Sequence, residues 1–234
     1  MQAYPGLARR EKRDNMQPGG KQGAATVLLL AGVFFWGATF AFIKEAVGFI
    51  DAYSFLAVRF SLAAALLAVL AAGRWKKYRA ETLLKGAGVG VVLAASYIFQ
   101  TVGVQYTTAS NAAFITGLCV IIVPVIIFLV DRRPPGAARV GAVGMALCGL
   151  ALMTLRPGME INRGDWWVLM CSVTFALHIV LVGRWVGKVD PLLFSATQQG
   201  MVALFCAAVG FAVNGTVVMP ERIEVWRAVL FCAV

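Results

Sequence analysis

An uncharged run from Ala112 to Val130 constrains this chain more than any other stretch. Thr116 is its only polar side chain. As a helix rising about 1.5 Å per residue it matches the hydrocarbon thickness of a bilayer, about 30 Å. Tyr106, Thr107, Thr108, Ser110 and Asn111 form a polar turn before it. Asp131, Arg132 and Arg133 follow it, and Pro134-Pro135 stop the helix. Two features set this run apart from a plain anchor. Ala109, Ala113 and Gly117 recur every four residues, a smooth stripe that lets another helix approach closely. Pro124 cannot donate to the carbonyl of Val120, which marks it as a hinge candidate at mid-depth.

The rest of the chain repeats the pattern. Of 234 residues 60% are hydrophobic and 14% charged, more apolar surface than a soluble domain can hide. The fold class is therefore an all-α integral membrane protein. Spans are predicted at 26–44, 52–72, 86–105, 109–130, 138–155, 165–183 and 191–213. An eighth begins near 225 and reaches Val234 in mid-helix, which leads the reading to expect a fragment or a truncated gene product. Residues 1–25, with Arg9, Arg10, Lys12, Arg13, Lys21 and a helix-breaking Pro18-Gly19-Gly20, are read as a disordered cytoplasmic arm.

The net charge of +10 raises a nucleic-acid reading, which its distribution excludes. The basic residues sit in short loops, without a basic stripe interleaved with exposed aromatics. Alternate loops carry 15 lysines and arginines against 5, with Arg59 left inside a span. The amino terminus is therefore expected in the cytoplasm and the protein in the cell membrane. All five cysteines fall in apolar runs with no CxxC pair, and there is one histidine, so neither a disulfide framework nor a metal site is expected.

At an offset of 139, Ile50-Asp51-Ala52-Tyr53-Ser54-Phe55 aligns with Val189-Asp190-Pro191-Leu192-Leu193-Phe194. Trp36 falls on Phe175, Thr39 on His178 and Arg59 on Gln198. A repeat of five spans is odd, so its second copy lies inverted relative to the first, as in secondary transporters.

These residues carry a family resemblance. Phe35-Trp36-Gly37-Ala38-Thr39-Phe40 with Lys44, then Arg59-Phe60, then Gln105 to Thr116, then Val123-Pro124 and Arg133-Pro134 resemble one EamA-type unit of the drug/metabolite transporter superfamily. The unit covers 26–155, and 165–234 resembles the first half of a second one. The resemblance implies ten spans in full, both termini cytoplasmic, and movement of small metabolites. The counterpart of Tyr106–Pro135 would begin near 245, which leaves a non-transporting remnant as the alternative reading.

The candidate pathway residues are Trp36, Arg59, Tyr97, Gln100, Ser110, Asn111, Thr116, His178 and Gln198. Gln100 and Asn111 are costly in lipid and should face inward. Arg59 either meets a substrate carboxylate or phosphate, or snorkels to headgroups or pairs with Asp51 or Glu45. His178 either relays a proton or is a neutral imidazole bonded to a neighbouring helix. Trp36 either stacks on substrate or packs. No Asp or Glu is expected to be buried in the membrane. Gly86, Gly90 and Ala94 form a packing stripe on the third span, and Trp166 and Trp167 anchor an interface. The sequence reads as a transporter and not an enzyme, since a membrane enzyme would need clustered His, Asp or Glu at one face. The resemblance implies an amino-acid-like cargo or a related polar solute, with alternating access expected and no cofactor. The expected partners are a small-molecule substrate and the lipid bilayer, with no nucleic acid; a homodimer is left open.

Overall fold

A computed structural model describes residues 19–132 and 162–233 and, between them, 136, 140–145 and 148–149. The helices are α1 (Gly19–Ala46), α2 (Ala52–Leu70), α3 (Ala80–Tyr106), α4 (Ala109–Gly117), α5 (Cys119–Asp131), α6 (Arg163–Trp185), α7 (Pro191–Asn214) and α8 (Ile223–Ala233). A 3₁₀ turn, Ala72–Lys77, follows α2. Among the described residues six helical stretches are long and apolar enough to cross a membrane, with α4 and α5 counted together as Ala109–Val130. This is an all-α integral membrane protein. The predicted span at 138–155 falls largely outside the described residues, although 140–145 are helical.

The predicted boundaries hold to within two residues except at the starts of α1 and α3; α3 begins at Ala80, six residues before the expected 86. α1 already begins at Gly19, inside the arm expected to be disordered. Glycines are tolerable there because the first N–H groups of a helix have no intrahelical partner. Residues 1–18 lie outside the described residues.

The chain divides into two bodies, one ending at Ala38 and one running from Thr39 to Val234. In the first, α1 carries the edge-to-face rings of Phe34 and Phe35, 5.9 Å apart. In the second, α2 packs along α7 and also meets α8, while α3 lies between α6 and α7. α4 and α5 line α6. The core is continuous through Phe55, Phe60, Leu93, Val104, Ala112, Val168, Phe175, Val202 and Val229.

Backbone proximity fixes two of these pairs. A Cβ on Gly90 would stand 2.8 Å from Met201 Cβ and 3.1 Å from the Gln198 carbonyl oxygen. A Cβ on Gly86 would meet Thr197 at 2.9 Å. The predicted Gly86/Gly90/Ala94 stripe is thus the surface α3 turns to α7, and Ala94 is fully buried in it. Gly103 and Gly164 touch still more closely: a Cβ on Gly164 would stand 2.5 Å from the Gly103 oxygen.

The stripe on the fourth span is placed differently from expectation. The buried face is Ala112, Thr116 and Cys119, while Ala109 and Ala113 are only partly covered. A helix turns about 100° per residue, so the buried line passes beside the small residues; Ser172 and Gln100 draw Thr116 and its turn inward.

The same helix is interrupted at Leu118, six residues before Pro124, and α5 continues through the proline. The Leu118 N–H bonds back only three residues, to the Ile115 oxygen at 3.1 Å. The Ser172 hydroxyl of α6 donates to that same oxygen. A carbonyl engaged from outside the helix is a recognised cause of a break in the ladder.

Candidate functional site

Two ends of the second body are distinguished by their caps. At one end Asp51 caps α2, its Oδ1 accepting from the Tyr53 and Ser54 amides at 3.1 and 3.0 Å. At the other end Asp190 caps α7 in the same way, accepting from Leu192 and Leu193 at 3.1 and 3.4 Å. Pro191 fits the first helical position, whose N–H would be unsatisfied in any case. The aligned aspartates therefore perform one function in both copies of the motif.

Arg59 lies two turns into α2 from the Asp51 end and is 5% exposed. Its Nε donates to the Cys232 oxygen of α8 at 3.0 Å. Its guanidinium carbon lies 4.9 Å from the Phe60 ring centre and 5.2 Å from that of Tyr97. It neither snorkels nor pairs with Asp51 or Glu45: the two ion pairs among the described residues are Arg74–Asp190 and Lys85–Glu81. Nη1 of Arg59 is buried with no hydrogen-bond partner.

Tyr97 of α3 joins three helices. Its ring is 4.6 Å from Phe60 of α2 and 5.1 Å from Phe175 of α6. One turn further along α3, Gln100 is 1% exposed and its Nε2 donates to Thr116 Oγ1 at 3.5 Å. Arg59, Tyr97, Gln100 and Thr116 thus come from α2, α3 and α4 into one region near the Asp51 end.

His178 and Gln198 form the second polar group. His178 Nε2 is 2.8 Å from Gln198 Oε1, joining α6 to α7 about two turns from the Asp190 end. This geometry gives the imidazole the neighbouring-helix partner weighed from the sequence. Beside it, Gln199 Oε1 is buried without a partner.

Four candidates remain. Ser110 is exposed and Asn111 half-buried in the first turn of α4, where Thr108 Oγ1 accepts from the Asn111 amide at 3.1 Å. Neither side chain is hydrogen-bonded to the Arg59 region. Helix phase explains this: Ala112 and Thr116, not Ser110 and Asn111, occupy the buried line. Trp36 belongs to the first body and is 38% exposed. Pro124 is half-buried within an unbroken α5.

Several residues of this interior were not singled out from the sequence. Asp165, beside the expected interface anchors Trp166 and Trp167, is only 8% exposed. Its Oδ1 accepts from Thr107 Oγ1 at 2.6 Å and its Oδ2 from the Asn162 amide at 2.9 Å. The signal was the Asn162-x-x-Asp165 spacing, a capping box for α6. Both oxygens are occupied, one by Thr107 and one by the start of α6. Ser172 was missed because a single hydroxyl in an apolar run gives no hint of a partner on another helix. Phe60 and Phe175 frame Tyr97, and only the three-dimensional pairing reveals it.

The Asp190 end is fastened by side chains. Arg74 Nη1 reaches Asp190 Oδ2 at 3.3 Å, and the Tyr78 and Thr197 hydroxyls are 2.9 Å apart. Lys85 and Lys188 both lie over the Trp185 ring, at 3.7 and 4.9 Å from its centre. Partial burial opposes ionisation of Asp190, but the Leu193 amide and Arg74 outweigh it and hold the carboxyl below its usual range.

At the Asp51 end Lys44 Nζ donates to the last-turn carbonyls of α3, Val104 at 2.8 Å and Gln105 at 3.1 Å. A cation there complements the helix dipole. Lys44 is thus a fastening between helices.

Known proteins place this architecture. An uncharacterised transporter of Archaeoglobus fulgidus is 29% identical over 220 residues, covering 92% of this chain and 67% of that protein. The uncharacterised transporter YyaM of Bacillus subtilis is 27% identical over 219 residues, covering 88% of this chain and 72% of that protein. A WAT1-related chloroplastic protein of Arabidopsis thaliana is 26% identical over 192 residues, covering 75% of this chain and 44% of its own. One crystal structure superposes with a TM-score of 0.67 at 18% identity, covering 90% of this chain and 74% of that one, a likeness of fold. The sequence profile of the EamA-like transporter family matches residues 23–155. More than half of the chain carries that profile, and the chain belongs to the EamA-like transporter family, a group of multi-pass membrane transporters within the drug/metabolite transporter superfamily.

Proposed function

We propose that this protein carries small metabolites, amino-acid-like or related polar solutes, across the cell membrane by alternating access. The observation that carries the reading is the placement of the two buried polar groups. Arg59, Gln100 and Thr116 lie near the Asp51 end, and His178 with Gln198 lies near the Asp190 end. Arg59 and Gln198 are the aligned residues of the two repeat copies. A path with polar contacts at mirrored depths serves a solute from either side.

The domain reading is a first five-helix unit over 26–155 and a partial second unit over 165–234. Two observations support duplication: the matching Asp51 and Asp190 caps, and the crossed packing in which α2 meets α8 while α7 meets α3. The loop charges support a cytoplasmic amino terminus, which puts the Asp190 end in the cytoplasm. Tyr97, Gln100, Thr116, His178 and Gln198 contact cargo in this reading. Ser110 and Asn111 stand at the outer mouth, and Pro124 gives α5 its flexibility.

Counterflow of labelled amino acids and related metabolites in proteoliposomes tests the reading. Single cysteines at Asn111 and Gln199, in a background without the native five, report the two mouths. Cargo should change their reaction with an impermeant maleimide in opposite directions. Parallel changes at both positions, or no solute movement across the panel, would sink it.

A further inference from the structure

We propose that Arg59 is the docking point for a singly charged carboxylate, so that the cargo is a small organic acid with an apolar or aromatic body. This rests on the transporter reading above and names the class of its substrate.

The argument begins with charge. Arginine stays protonated in any environment of this kind. Arg59 is 5% exposed and has no ion-pair partner among the described residues. Asp51 is engaged at the start of α2, and both oxygens of Asp165 are taken by Thr107 and Asn162. A buried cation without an anion is costly, and the cost falls when an anion completes the pair.

Geometry then narrows the partner. Nε is spent on the Cys232 oxygen, and Phe60 and Tyr97 flank the guanidinium. Nη1 is the buried nitrogen left without an acceptor. One unpaired cation suits a group of charge −1. A phosphate monoester, nearer −2 at neutral pH, would leave uncompensated charge. The adjoining surface is aromatic, formed by Phe60, Tyr97 and Phe175. Gln100 and Thr116 supply neutral hydrogen-bonding groups one turn along α3.

The test uses probes of one shape and two charges, N-acetyl-L-phenylalanine and N-acetyl-L-alanine against their amides. The full chain is purified in detergent for thermal unfolding and reconstituted for counterflow. The acids should raise Tm and the amides should not. Arg59→Gln should weaken acid binding on the order of thirtyfold or more, and Arg59→Lys should restore part of it. Because Arg59→Gln removes a buried charge, its Tm without ligand checks folding. Tyr97→Leu is the second variant, expected to weaken the acids by loss of the flanking ring while keeping the charge. Wild-type protein that binds neither acid, or binds amide as well as acid, overturns the inference. So does Arg59→Gln that binds acid unchanged. Acid binding through Arg59 without solute movement would retain the site and reject the transport reading. Movement of neutral solutes unaffected by Arg59→Gln would retain transport and reject the site.

Discussion

Asp51 and Asp190 perform the same local task at the starts of α2 and α7. Asp51→Ala should cost about 1 kcal/mol, read as a lower Tm in detergent. Asp190 adds a pH signature. Its carboxyl is held below the ordinary value of 3.8, so its contribution is present above that value and lost as pH falls through the lower folded value. Asp190→Asn should therefore flatten the acid limb of the stability profile. An unchanged limb would show that the cap and Arg74 contribute nothing there. The glycines give a sharper contrast. Gly90→Ala must displace Met201 or the Gln198 backbone and should cost about 1–3 kcal/mol, whereas the Cβ of Gly88→Ala meets nothing within 4 Å and should be nearly neutral. The Gly86/Gly90 stripe and the alignment of Asp51 with Asp190 were legible in the sequence because they are local patterns; that both aspartates cap helices emerges from the structure. The partners of Arg59 and Ser172 were not, because they lie 173 and 57 positions away.

The helices as elements were legible for a similar reason: bilayer thickness imposes one length on every span. What a length rule cannot supply is a break whose cause sits on a different helix. The interruption at Leu118 lies where the Ser172 hydroxyl faces the Ile115 carbonyl as well as the Val168 oxygen of its own helix, while the conspicuous Pro124 passes within a continuous α5. Spin-label distances between Ala109→Cys and Val130→Cys should separate the two. Pro124→Ala should leave the distance distribution centred where it was, and Ser172→Ala should shift it. A shift with the proline variant alone would return the break to Pro124. The fourth span also shows how periodicity misleads. Its small residues make an attractive stripe, yet the polar partners of Thr116 decide which line of the helix is buried.

For the molecule as a whole, the family and the all-α membrane fold follow from patterns spread over many residues. The assembly of the two polar groups does not, since it depends on which helices become neighbours. The fastenings at the Asp190 end bear on motion between those neighbours. Arg74–Asp190, Tyr78–Thr197 and the two lysines over Trp185 join the 3₁₀ turn and the start of α3 to α6 and α7. Removing one should favour separation there. Tyr78→Phe should raise maleimide labelling of Gln199→Cys several-fold, and equal labelling in both backgrounds would show that the hydroxyl pair holds nothing closed.

The contact between Gly103 and Gly164 has a mechanical meaning. With no side chain between them, the backbones of α3 and α6 cannot be pressed closer, and neither can slide without lifting the other away. Tilting about that point remains open to them. Such a contact is a fulcrum: displacement is smallest beside it and grows along the lever toward the far ends of the two helices, where Lys85 and Trp185 meet.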